Sequence, residues 1–221
     1  MVIIRRAFYN TPKQNNSLTP LEKMTDKEKT ETIYQALLED YESDDKNLRD
    51  WITIREARCG TGYNFQNQRS FDFLAISSRA GNAVVVYEVK ASRSDFLKDV
   101  KNPEKQKALR CFANLFYYIA PQGVIRTEDL PPWAGLKELV YDSKVNRFII
   151  VERVVPPQQA NFPPTWGFVA ACIRNRSEWQ TRKLLKANEE LSLENIRLQQ
   201  ECESLRLKNF LLKKKEAENA K

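Results

Sequence analysis

Two carboxylates and an ammonium stand in a stretch otherwise built for a β-hairpin: Asp72, Glu88 and Lys90, within FDFLAISSRAGNAVVVYEVK at 71–90. FDFLAIS and AVVVYEVK are rich in aromatic and β-branched residues, and SRAGN between them carries turn chemistry. Side chains alternate along a strand, so Glu88 and Lys90 share a face that Val85, Tyr87 and Val89 do not. An odd loop centred on Gly81 sets Asp72 opposite Lys90 and Leu74 opposite Glu88, and the three charged groups then converge. An even two-residue turn sets Asp72 opposite Val89 and turns it away, unless a bulge corrects it. Like carboxylates brought together repel unless a cation lies between them, and hard oxygen ligands of this kind suit Mg²⁺. A lysine one step along the strand can hold an attacking water or the negative charge developing on a phosphate. A salt bridge on an exposed hairpin face is the other reading of the same residues.

Asp72 followed by Glu88-Val89-Lys90 resembles the core of the PD-(D/E)XK nuclease superfamily. The continuation EVKASRSDFLKDVKNPEKQKALRCFANLFYYIAPQGVI is similar to its phage and bacterial branch, related to the mitomycin-resistance DNA-repair proteins. GTGYNFQNQRSFDFLAI resembles the segment that precedes the hairpin in that branch, so the likeness covers Glu56 to Glu138, with Phe71 where many members have proline. The resemblance implies a restriction-endonuclease-like mixed sheet flanked by helices. It implies a metal-dependent DNA endonuclease or repair nuclease that hydrolyses phosphodiester bonds with Mg²⁺ or Mn²⁺. Asp72, Glu88 and the carbonyl of Val89 would hold the metal and Lys90 would orient water. A glutamate on the first helix often reaches the metal in this superfamily, and Glu31 is the candidate by position; a solvated surface glutamate is the alternative.

Composition narrows the chemistry further. The 221 residues contain no histidine, which removes imidazole bases and His-metal centres. Cys59, Cys111, Cys172 and Cys202 are far apart and form no C-x-x-C pair, so neither a zinc site nor a disulfide framework is indicated. A net charge of +7 favours a polyanionic partner, DNA being the usual one. MVIIRR is too short for a signal peptide and the longest apolar runs cannot span a bilayer. The expectation is a protein in the cytoplasm of a bacterial or phage-infected cell, with no membrane partner.

The elements that must position these residues follow from periodicity. Residues 1–29 lack any period and predict a flexible arm. Ile33, Tyr34, Leu37, Leu38 and Tyr41 recur at helical spacing and predict an amphipathic helix over 27–41. WITIREARC predicts a strand before the hairpin. G-T-G at 60–62 reads as a turn, because it lacks the rest of a phosphate-binding loop. After the hairpin, Ser92 and Asp95 form a short capping box, and Asn102-Pro103 marks a second helix start. Lys90, Arg93, Lys98, Lys101, Lys105, Lys107 and Arg110 outnumber Asp95, Asp99 and Glu104, so a basic segment follows the site, with Arg93, Lys105 and Lys107 the candidates for contacting a DNA backbone. LFYYIAP, LKELVYD and RFIIVERV predict three further strands. An α/β domain with a mixed sheet therefore spans 30–155, and a proline-rich linker follows at 156–165.

The remainder, 166–221, contains no proline, and Leu184, Leu191, Leu198, Leu205 and Leu212 recur every seven residues, the period of a coiled-coil seam. The expectation is a long C-terminal helix that forms a homodimer; the alternative is a helix folding back on the domain. A second function remains open from the sequence, a non-catalytic DNA-binding or scaffold protein on a nuclease-like platform. A leucine-zipper transcription factor fits less well, because no long basic helix precedes Leu184.

Overall fold

The computed structural model describes residues 20–42, 50–58, 70–79, 81–102, 107, 110–160 and 163–219, and the side chains of 57, 58 and 210–219 are not described. The strands are β1 (Trp51–Arg58), β2 (Ser70–Ser77), β3 (Val84–Val89), β4 (Leu115–Pro121), β5 (Gly135–Asp142) and β6 (Arg147–Val154). The helices are α1 (Asp26–Glu42), α2 (Arg93–Val100) and α3 (Trp166–Asn219). The fold is α/β, a six-stranded mixed sheet with helices and a long C-terminal helix.

The strands lie in sequence order. The first three form an antiparallel meander, β3 to β5 run parallel, and β6 returns antiparallel to β5. A parallel neighbour needs a crossover, and α2 supplies the one from β3 to β4. β4 is buried along almost its whole length, as its unbroken apolar sequence requires.

Each sheet face has its own cover. On one side Ile33, Tyr34, Leu37 and Leu38 of α1 are buried, and Tyr41 packs against Phe73 and Tyr87. The Tyr87 hydroxyl there pairs with Tyr41 at 2.7 Å and accepts from Lys137 at 3.0 Å, so these buried polar groups are partnered. On the other side Phe96 of α2 meets Tyr118 edge-on, and Phe168 in the first turns of α3 stacks on Phe112 and meets Phe71. α1 starts on a reciprocal capping box: Thr25 N–H donates to Glu28 at 2.7 Å and Glu28 N–H donates to the Thr25 hydroxyl at 3.3 Å.

Several sequence boundaries move. Of the expected arm, residues 1–19 lie outside the described residues, but Pro20–Lys23 forms a 3-10 turn with Leu21 buried, so order begins before residue 30. Within the proline-rich stretch, Pro156 is buried and Gln159 is tied on three sides: its N–H to Asn114 O, its amide to Trp133 O, and its carbonyl to the Asn114 amide. That segment is strapped to the domain rather than a free spacer. Because Phe168, Ala171 and Cys172 belong to the core, the chain divides at 176/177, inside α3, instead of at the prolines. Residues 177–221 form a separate unit. The 59–69 loop and most of the helix expected after Asn102-Pro103 lie outside the described residues.

Gly135 shows how closely the sheet is packed. It stands opposite Tyr117, and a Cβ there would lie 2.5 Å from Pro156 Cδ, 2.6 Å from Val154 O and 2.8 Å from Tyr117 Cδ1. Gly135→Ala is expected to lower stability by about 1–3 kcal/mol through overpacking. Urea denaturation of the two proteins measures it, and an unchanged midpoint would show that β5 and the strap can shift apart freely.

Candidate active site

Glu88 owes its place to β3. Its cross-strand row runs Glu88, Tyr118, Leu136, Val154, so the carboxylate continues an otherwise apolar line and is only 4% exposed. Burial and the nearby Asp72 charge push its pKa from the ordinary 4.5 up to about 8, against the opposing pull of Lys90.

Asp72 reaches the same place from β2, in a register that corrects the sequence expectation. Leu74 pairs with Val86 and Phe73 with Tyr87, so the next step sets Asp72 across from Glu88, two residues short of the predicted partner Lys90. The loop closes at Ser77 N–H to Ala83 O, and Gly81 and Asn82 take positive φ there. The shift is two residues, so the parity of the pairing is kept, and the even-turn arrangement, with Val89 opposite, does not occur. Beyond Phe73 the ladder gives way to a side chain. Lys90 N–H donates to Ile119 O, so alternation turns the Val89 N–H and C=O toward β2, and the Val89 N–H is received by Asp72 Oδ2 at 2.8 Å. Across from Asp72 on β1, Glu56 has φ 51, and its carbonyl accepts from the Asn175 amide at 2.7 Å. The backbone is therefore irregular on β1 beside Asp72.

Lys90 is buried with its charge. Its Nζ lies 3.0 Å from Glu88 Oε1, 3.2 Å from Asp99 Oδ2 and 3.8 Å from Asp95 Oδ2. Burial alone would lower its pKa, but Glu88 and Asp99 outweigh it and hold the ammonium above its ordinary range. The Tyr118 hydroxyl is raised by burial and by Asp99 beside it, so it too stays protonated.

The sequence-predicted residues are thus divided. Asp72, Glu88, Val89 and Lys90 meet at one end of the β2–β3 pair. Glu31 is gripped by Arg55 through both oxygens, at 3.0 and 2.9 Å, with Gln35 on the same carboxylate, and it is left out of the ligand set below. Arg93 is ion-paired with Asp129, Arg110 stacks 4.1 Å over Trp133, and Lys105 lies outside the described residues. Lys98, Lys101 and Lys107 are the exposed cations of the basic segment among the described residues. Leu184, Leu191, Leu198 and Leu205 are exposed along α3, and the Leu212 side chain is not described. Sequence reasoning missed Asp99 and Asp95 as partners of Lys90. Their spacing of four on one helix was the available signal, but it says nothing about which strand that helix crosses.

Among the described residues no group of three or more His, Cys, Asp and Glu side chains is arranged to hold a metal ion. What is present is a smaller donor set, the Asp72 and Glu88 carboxylates with the Val89 carbonyl. The Lys90 ammonium beside them is engaged by Glu88, Asp95 and Asp99. Two carboxylates are a donor set of the kind Mg²⁺ takes, since it commonly binds through one or two carboxylates and completes its shell with water and substrate phosphate.

No helix among the described residues is long and apolar enough to cross a membrane. No protein-family model matches the chain, and neither does any curated protein. Among solved structures it is similar to a protein of unknown function from Silicibacter pomeroyi, with 14% identity over 72% of this chain and 91% of that one and a TM-score of 0.48.

Proposed function

We propose that the chain is a divalent-metal-dependent DNA nuclease whose site comprises Asp72, Glu88, the Val89 carbonyl and Lys90. The observation that carries this reading is the meeting of the Asp72 carboxylate, fixed on the Val89 N–H, with the buried Glu88 beside a lysine held charged. A resident Mg²⁺ or Mn²⁺ would supply the positive charge that polarises a phosphodiester.

The chain's own groups have separable tasks. Asp72 and Glu88 carry the negative charge that retains the cation. Lys90, being held protonated, acts as a donor that orients water and faces the charge developing on phosphate; it is not the base. Asp99 fixes the direction of the ammonium. Lys98, Lys101 and Lys107 offer contacts to the DNA backbone, with Arg93 partly engaged by Asp129.

Incubation with plasmid and single-stranded DNA plus Mg²⁺ or Mn²⁺ tests the activity. Cleavage is expected to fall by at least about 10²–10³-fold in Asp72→Ala and in Lys90→Ala. Cutting that survives both substitutions assigns the chemistry elsewhere, and salt-sensitive binding without cutting in either metal favours the scaffold alternative.

Asp99→Asn keeps the shape but weakens the hold on Lys90. A loss of about 10–100-fold in kcat with KM little changed is expected. Steady-state kinetics on a short duplex decides it, and wild-type turnover would show that Asp99 does not orient the lysine.

Glu88 also sets a pH dependence. Its folded pKa lies above its ordinary value, so the stability it contributes is complete below about pH 4.5 and is lost as pH rises through about 8. Thermal unfolding of metal-free protein should show this loss, Glu88→Gln should flatten it, and Mg²⁺ should restore more stability at the alkaline end, where its carboxylate ligand is ionised. A Glu88→Gln profile as steep as wild type would remove Glu88 as the titrating group.

A further inference from the structure

The unit beyond residue 176 presents a different kind of surface. From Ser177 onward the described structure is uninterrupted helix, and Leu184, Leu185, Leu191, Leu193, Ile196, Leu198, Leu205 and Leu207 are all exposed. The seam leucines keep 71% (Leu184), 63% (Leu191), 46% (Leu198) and 51% (Leu205) of their surface in solvent. A helix of this length draws most of its stability in water from packing an apolar face, so a cover for this stripe is required.

The residues between the leucines say what the cover is. With leucine at d, the a positions are Asn188, Asn195, Cys202 and Asn209. An asparagine buried against an apolar groove of an unrelated protein would lose its hydrogen bonds. In a parallel, in-register pair of identical helices each asparagine meets its own copy, and one amide can donate while the other accepts. Three asparagines at heptad spacing make that self-match cumulative. An antiparallel pair would break the match by setting a layers against d layers. Charge agrees in the middle of the seam: Glu201 at g faces Arg206 at the next e of the other chain. Lys208 and Lys213 oppose it further along, which places the firmer part of the contact before residue 207.

From this pattern we infer that residues 184–209 are the docking surface for a second copy of this chain, in a parallel two-stranded coiled coil with Asn188, Asn195, Cys202 and Asn209 in self-paired layers. The contact is isologous, each chain giving the other the same stripe, so assembly stops at two. It is independent of whether the domain is a nuclease.

Sedimentation equilibrium of the full chain is expected to give twice the 25.8-kDa chain mass, and Leu191→Lys with Leu198→Lys to give the single mass. Retained urea unfolding of the domain in the double variant shows that dissociation is not misfolding. Register is read by the chain's own Cys202. Diamide takes up the two electrons and two protons released as two thiols join, and a cross-linked dimer should form in wild type and in Cys111→Ser but not in Cys202→Ser. A monomer at every concentration tested overturns the proposal. A dimer that forms no Cys202-dependent cross-link overturns the parallel register.

Discussion

The ammonium of Lys90, buried between Glu88 on its own strand and Asp99 on the helix that follows, is the constraint around which the domain closes. Removing one partner of such a buried set typically costs about 3–5 kcal/mol, because the charge left behind has no water to replace it. The local sequence makes the set possible. Ser92 caps α2 immediately after the strand, its hydroxyl accepting from Asp95 N–H, so the chain reverses within three residues of Lys90. Two turns of helix then bring Asp95 and Asp99 back over the lysine. Phe96, between them in sequence, is seated on Tyr118. Charge pairing and apolar packing fix the same crossover, and the crossover is what lets β4 lie parallel to β3.

The same closure crowds carboxylates together. Glu88 sits on the row of Tyr118, Leu136 and Val154, where water is scarce, and Asp72 is brought beside it by a hydrogen bond from the Val89 N–H. The raised Glu88 pKa is the electrostatic consequence of that crowding. A divalent cation would relieve it, and that is the support the crowding lends to the proposed nuclease reading. The absence of histidine leaves carboxylate, lysine and metal as the means of hydrolysis available to such a site.

Burial also redistributes the roles of the basic residues. By sequence the segment after the site is a single positive stretch. In the fold, Lys90 is consumed by carboxylates, Arg93 by Asp129 and Arg110 by an indole face, and the field offered to a polyanion comes from lysines on the outer surface. Glu31 follows the same logic, since Arg55 lies over the Tyr34 ring and holds the carboxylate.

All six strands, α1 and the start of α2 could be read from the sequence, because period-two alternation, helical spacing and a capping serine are local properties of neighbouring residues. The convergence of Asp72 with Glu88 was legible only as to facing: strand parity fixes the side of a sheet, but the exact partner depends on how the loop closes, and that moved it by two. The reciprocal cap at Thr25 and Glu28 was written in the chain yet weighed less than the unpatterned residues before it. Asp99 as the partner of Lys90, the strapping of Gln159 to Asn114 and Trp133, and the capture of Glu31 by Arg55 were decided by tertiary structure alone. Each joins segments whose approach is set by the packing of the whole sheet and its helices, and no local pattern encodes that distance.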